Sequence, residues 1–174
     1  KQRAHMRAAG VKNVDAFIAY QKGWNLYLEA HLKAGIDLID GLRRANVEFD
    51  KAIALDPNFS FAYFAEADLY EHTLMADGRS HAELLFAQRA ALYTLERAAA
   101  TSPDPQQRDL ALAERQLLSD DWHGLADRIE TALKQPGCSA PNWMPMFASA
   151  FGYGDLIENL GARVNVCDPL NRSE

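Results

Sequence analysis

One spacing constrains this chain more than any other. Ala45, Phe49, Ala52 and Pro57 stand at offsets 0, 4, 7 and 12. Ala91, Leu95, Ala98 and Pro103 repeat the same offsets. Small residues at 0 and 7 fall on one helical face two turns apart, so a second helix can approach closely there. The large residue between them fills the adjoining hole, and the proline ends the helix and redirects the chain. Weaker copies follow as Leu125, Ile129, Ala132, Gly137 and as Ile157, Gly161, Val164, Pro169. Segments written this way read as helices that pack closely on a neighbouring helix. The chain has no strand-like alternation of useful length.

The closing positions 57, 103, 137 and 169 lie 46, 34 and 32 apart. The first helix of each unit carries a second signal. Tyr63, Ala67 and Tyr70 set aromatic, small, aromatic at offsets 0, 4 and 7, with Glu66 where a leucine is usual. Gly23 takes the small position of the first unit, and Leu112-Ala113 that of the third. Asp120-Asp121-Trp122 and Gly152-Tyr153-Gly154-Asp155 mark turns into second helices. This pattern, with a period near 34, resembles the tetratricopeptide repeat family.

The resemblance covers about Val14 to Asn171. It implies an all-α superhelix, an α-α solenoid of about four helical hairpins: units of about 14–57, 58–103, 104–137 and 138–171, behind a basic lead over 1–13. Tyr70 to Ala91 spans 21 residues where the family has about 9, and Gly23 to Ala45 spans 22 against about 12. Both excesses fall at the turn between paired helices, so they either lengthen both helices or form loops at one edge of the stack, longer helices being preferred. Asp77-Gly78-Arg79-Ser80 reads as a turn followed by an N-cap. Eight helices are expected, over roughly 14–33, 36–55, 59–76, 80–101, 105–119, 121–135, 141–151 and 154–166. The runs Asn13–Gly23, Gly41–Ala45 and Phe49–Asn58 further resemble repeat segments behind catalytic or DNA-binding domains of bacterial multidomain regulators, adenylate-cyclase-like and winged-helix proteins among them.

Such repeats bind other proteins or peptides along a concave groove lined by the first helices. Carried over by position, the groove residues are Phe17, Tyr20, Trp24 and Tyr27 from the first unit. The second unit gives Phe61, Phe64, Asp68 and His72, and the third Gln107, Leu110, Glu114 and Leu117. The aromatic rows suit apolar side chains or a partner helix, and Asp68 and Glu114 suit a basic group. Packing of the same rings in the core is the alternative. Repeats that clamp a terminal carboxylate usually have Lys and Asn where Tyr20 and Trp24 stand, so that specialised role is not expected. A module of this kind would be a regulatory or scaffolding part of a larger bacterial protein. Self-association through an uncapped flank and a small-ligand sensor or enzyme in the inter-helix groove are the competing functions.

Charge narrows the partners. The net charge is −6. Lys1, Arg3, Arg7 and Lys12 make residues 1–13 +4, leaving 14 basic and 24 acidic side chains, net −10, for the rest. A nucleic-acid surface needs clustered Lys and Arg, so none is expected, and a charged partner should be basic. No apolar run reaches the roughly 18 residues of a membrane span. Cys138 and Cys167, 29 positions apart and outside any CxxC pair, read as free thiols in a reducing cytoplasm, a disulfide being the alternative. An extracytoplasmic setting would follow only from a membrane-anchored parent. The start lacks a Met and an apolar core, and both ends read as cuts in a longer polypeptide.

No catalytic or metal motif stands out. His5, His31, His72, His81 and His123 make no HxxH, HxxxH or HExxH, and there is no phosphate loop or GxSxG elbow. Glu71-His72 is the one adjacent acid–histidine pair of interest, and solvent-facing polarity accounts for it. A non-enzymatic protein with no cofactor and no metal is the expectation.

Overall fold

The computed structural model describes residues 11–32, 37–119 and 121–134. Among them the chain is all-helical, with six helices: α1 Val14–Leu32, α2 Leu38–Leu55, α3 Ser60–Met75, α4 His81–Thr101, α5 Pro105–Leu117 and α6 Leu125–Lys134. The expected helices over 141–151 and 154–166, the fourth unit, residues 1–10 of the basic lead and both cysteines lie outside the described residues.

Local chemistry sets the helix ends. Asn13 Oδ1 accepts from the Asp15 and Ala16 amides at 2.9 and 3.3 Å and starts α1. Asp37 caps α2 by accepting from Asp40 N at 2.9 Å. Gly78, at φ +74°, makes the turn after α3. There the left-handed backbone excludes most side chains. Ser80 then opens α4 with a capping box: its Oγ accepts from Glu83 N, and Glu83 accepts from Ser80 N at 2.8 Å. Asp104 caps α5, and Pro105 occupies its first turn, where a missing N–H costs nothing. The expected sixth helix starts later than its aromatic signal. Asp121, Trp122 and His123 belong to a turn closed by Gly124 at φ +71°.

Helices pack mainly on their sequence neighbours, α1–α2 and α3–α4 most extensively, then α2–α3, α4–α5 and α5–α6. The repeated small and large residues explain the tight joints. Ala45, Phe49, Ala52, Ala91, Leu95 and Ala98 are all fully buried. Gly23 meets Phe49 edge-on: a Cβ there would lie 2.6 Å from the Phe49 ring and 3.1 Å from the Ala45 carbonyl oxygen. The lengthened helices are also present. Helices α1 to α4 have 16 to 21 residues, whereas α5 and α6 have 13 and 10.

Two polar joints fix register between helices. Asn46 on α2 donates to the Glu66 carbonyl of α3 at 3.0 Å in the interior. Gln107 Oε1 on α5 accepts from Ser60 Oγ at 3.3 Å and from Ser102 Oγ at 2.8 Å, tying the start of α3, the end of α4 and α5 together. Losing this acceptor would leave the buried Ser60 hydroxyl without its partner, whereas Ser102 Oγ also reaches the Asp104 carbonyl at 3.1 Å.

Candidate functional site

Three helices present one row of side chains each to a common space. On α1 the row is Tyr20, Trp24, Tyr27, on α3 it is Phe61, Phe64, Asp68, and on α5 it is Gln107, Leu110, Glu114. Each is spaced by three or four residues and so forms a single face. Together with Ala65 and the α5 cap Asp104, they line a partly open pocket of about 360 Å³.

The α1 row is a ladder of rings. Tyr20 and Trp24 stack with centroids 6.2 Å apart, and Trp24 and Tyr27 at 4.8 Å and 6°. Tyr27 continues to His31 at 4.3 Å, and His31 to His72 of α3 at 5.4 Å. The ladder is backed by the core. Tyr20 tilts against Phe49 at 5.8 Å and Phe59 at 4.9 Å, and Trp24, Leu26 and Tyr27 pack on Ala45, Phe49 and Ala65. Burial pushes the Tyr20 phenol up to about 12, so it stays neutral. Tyr20, Trp24, Tyr27, Phe61 and Phe64 are all half-buried. Each has core packing and a share of the pocket wall, so the two alternatives for these rings coexist.

One end of the pocket is acidic. Asp68 and Glu114 line it, and Glu71 lies beside them in the interior, 4% exposed. Burial raises Glu114 well above the carboxylate range, and the neighbouring Glu71 charge adds to it. Burial raises Glu71 as well, against the hydrogen bond from Glu114. Glu71 Oε1 and Glu114 Oε2 find no donor while both are ionised. The shared hydrogen bond favours a protonated Glu114 as donor and an ionised Glu71 as acceptor. Burial, with the charges of Asp68, Glu71 and Glu114, also drives the Tyr27 hydroxyl upward. Among the described residues no Lys or Arg pairs with any of these three carboxylates.

Of the residues expected at the groove, Tyr20, Trp24, Tyr27, Phe61, Phe64, Asp68, Gln107, Leu110 and Glu114 line this pocket. Phe17 does not, and that expectation is corrected. It is 7% exposed and belongs to the core with Val11, Ala16, Ala52, Phe59 and Ala62. One turn before Tyr20, it meets the end of α2 and the entry to α3, where the backbone of Lys12 and the side chain of Asn13 are held by Asp56 and the Leu55 carbonyl. Leu117 is likewise buried and outside the wall. His72 stands beyond the acidic end, with its ring nitrogen 3.4 Å from that of His31. Asp104 and Ala65 were not anticipated in the wall. The Asp-Pro start of α5 was the only signal for the first, and nothing in the pattern marked the second.

Glu66, the departure from the repeat pattern, is buried away from this wall. Its Oε1 accepts from Tyr70 at 3.3 Å, and burial, with the Asp50 charge of α2 behind it, pushes the carboxyl up to about 7. No helix among the described residues is long and apolar enough to cross a membrane.

Comparison with known proteins gives no relative from which a role could be carried over: no family model, no curated protein and no solved structure matches the chain.

Proposed function

We propose that the chain is a tetratricopeptide-like array that captures a protein or peptide segment in the α1–α3–α5 pocket, without catalysing a reaction. The observation that carries this reading is the composition of the pocket. Five aromatic rings and three acidic side chains, Asp68, Asp104 and Glu114, converge there, and no Lys or Arg pairs with Asp68 or Glu114 among the described residues. A ring wall favours apolar carbons and the face of a cation, and a nearby carboxylate fixes the cation's position. A lysine or arginine flanked by an aromatic or long aliphatic residue satisfies both. The array reading is supported by the sequential packing of the helices and the buried small residues at the repeat spacing.

Selection of displayed random peptides on the chain, in chelator-containing buffer, tests the proposal. Enriched peptides should pair a basic residue with an aromatic or aliphatic one. The substitutions Trp24→Ala and Phe64→Ala should weaken their binding at least about tenfold while leaving a cooperative melt, since hot-spot rings commonly cost more than 1.4 kcal/mol when truncated. If both variants lose the thermal transition, the rings serve the core alone and the reading fails. A second reading, a sensor of a small cationic molecule, is favoured by the pocket volume of about 360 Å³, within the range of small-ligand sites. Enrichment of no peptide, together with a melting shift by small aryl-alkyl amines, would select it.

A further inference from the structure

His31 ends the ring row of α1, and Asp68 and His72 stand one turn apart on α3. Three side-chain atoms from these residues meet at one point. His31 Nε2 is 3.4 Å from Asp68 Oδ2 and 3.4 Å from His72 Nε2, and His72 Nε2 is 3.7 Å from Asp68 Oδ2. They are the three potential ligand atoms that come together in this way among the described residues.

The hydrogen inventory at this point is short. His31 Nδ1 lies 2.9 Å from the Tyr27 carbonyl oxygen. A carbonyl only accepts, so Nδ1 carries a hydrogen and Nε2 is the ring atom turned toward Asp68 and His72; the Asp68 side chain raises the His31 pKa. Asp68 Oδ2 has no accessible surface and no hydrogen-bond partner. At 3.4 Å its approach to His31 is longer than a charge-assisted hydrogen bond. Three atoms that can each donate an electron pair therefore meet with every separation longer than an ordinary hydrogen bond.

The dimensions fit a small dication. An ion over the centre of this triangle would stand about 2.1 Å from all three atoms, the length of zinc–imidazole and zinc–carboxylate bonds. The edges are those of a tetrahedron built on such bonds. The supporting groups are those that metal ligands use. The Tyr27 carbonyl holds the His31 ring, and the Tyr27 hydroxyl lies near the Asp68 carboxylate. Glu71 and Glu114 add acidic groups behind the site.

We propose that His31, Asp68 and His72 form a binding site for a divalent transition metal of the zinc type, with two imidazoles and one carboxylate as ligands and a fourth position open. Nitrogen-rich donors select zinc, copper or nickel over magnesium or calcium. The site does not depend on the peptide reading of the neighbouring pocket.

The test is calorimetric titration of the chelator-treated full chain with zinc chloride alone, with Cys138 and Cys167 alkylated. One site is expected. The substitutions His31→Gln and His72→Gln should each weaken zinc at least about tenfold, and His81→Gln, on an exposed residue outside the cluster, should leave it unchanged. Cobalt should give visible bands of a tetrahedral site that both variants lose. In the wild type, zinc should shift the imidazole nitrogen resonances of His31 and His72, a readout that needs no variant to fold. Absence of a zinc heat, equal affinity in the His31→Gln/His72→Gln double variant, or shifts confined to other histidines would overturn the proposal and leave a protonated His31 paired with Asp68 as the occupant.

Discussion

The two ends of the pocket solve opposite problems. At the Tyr20 end, rings rest on Phe49, Phe59 and Ala45, so the wall is an extension of the core and its burial stabilises the fold. At the Asp68 end, Glu71 and Glu114 are buried with no Lys or Arg partner among the described residues; burial raises the proton affinity of both, and the Glu71 charge raises that of Glu114 further. That end costs stability at neutral pH, and nothing in the packing of α3 on α5 requires two acids there. A region that stabilises the fold needs no ligand to explain it. A region that is costly when empty is better understood through what it would hold, which is why both proposals turn on Asp68 and its neighbours.

The largest effect expected belongs to the stabilising end. Phe49 is fully buried, touches Tyr20 and closes on Gly23. The substitution Phe49→Ala should cost about 3–5 kcal/mol, seen as a lower midpoint in urea unfolding. It should also loosen the ring ladder, so that tryptophan fluorescence from Trp24 shifts before global unfolding. A cost below about 1 kcal/mol would mean that the wall does not rest on this ring, and the contrast between the two ends would break.

The acidic end should respond with the opposite sign. Glu114 has its folded pKa raised above the unfolded value of 4.5 by burial and by Glu71. An acid raised in this way favours the fold below its unfolded pKa, and the advantage is lost as pH rises through the folded value. The substitution Glu114→Gln removes that loss. The variant should melt higher than the wild type at pH 8, by on the order of 1–3 kcal/mol, and the two should converge toward pH 4. A variant destabilised at both pH values would show that the carboxylate is held by a favourable contact, and the view of this end as costly would fail.

How much of this was legible follows from where each feature is encoded. The 0, 4, 7 and 12 spacing lies within single helices, so the bounds of α1 to α5 and the close joint at Gly23 could be read from neighbouring residues. The pocket rows could be read too, since Tyr20, Trp24 and Tyr27 or Phe61, Phe64 and Asp68 repeat at helical spacing. Phe17 has the same spacing and faces inward, because the segment Val11–Asn13 and Phe59 cover it. That cover depends on how the chain enters α1, which no periodicity records. The His31–His72 meeting is 41 residues apart in sequence. It depends on the relative shift of α1 and α3, set by Asn46 on Glu66 and by the length of α2 between them. No short motif can encode a contact of that kind. Glu66 was visible as an exception but not as a buried acid, since its partners Tyr70 and Asp50 come from two helices.

The smallest expected effect tests the link between the two ends, and it falls on Tyr27. Its ring belongs to the ladder, parallel to Trp24 at 4.8 Å. Its hydroxyl belongs to the acidic end, where burial and the charges of Asp68, Glu71 and Glu114 keep it protonated. The substitution Tyr27→Phe keeps the first role and removes the second. The ring stack should survive, and stability should change by no more than about 1 kcal/mol, the net worth of one hydrogen bond. Losing the hydroxyl removes a polar neighbour of the Asp68 carboxylate, so zinc affinity measured by calorimetry should fall severalfold with no loss of folded signal. If Tyr27→Phe instead lowered the melting midpoint as far as Phe49→Ala does, the hydroxyl would be part of the core and the two ends would be one structural unit. If neither stability nor zinc affinity moved, the ring ladder and the acidic cluster would be independent neighbours, and Tyr27 would position nothing beyond its own ring.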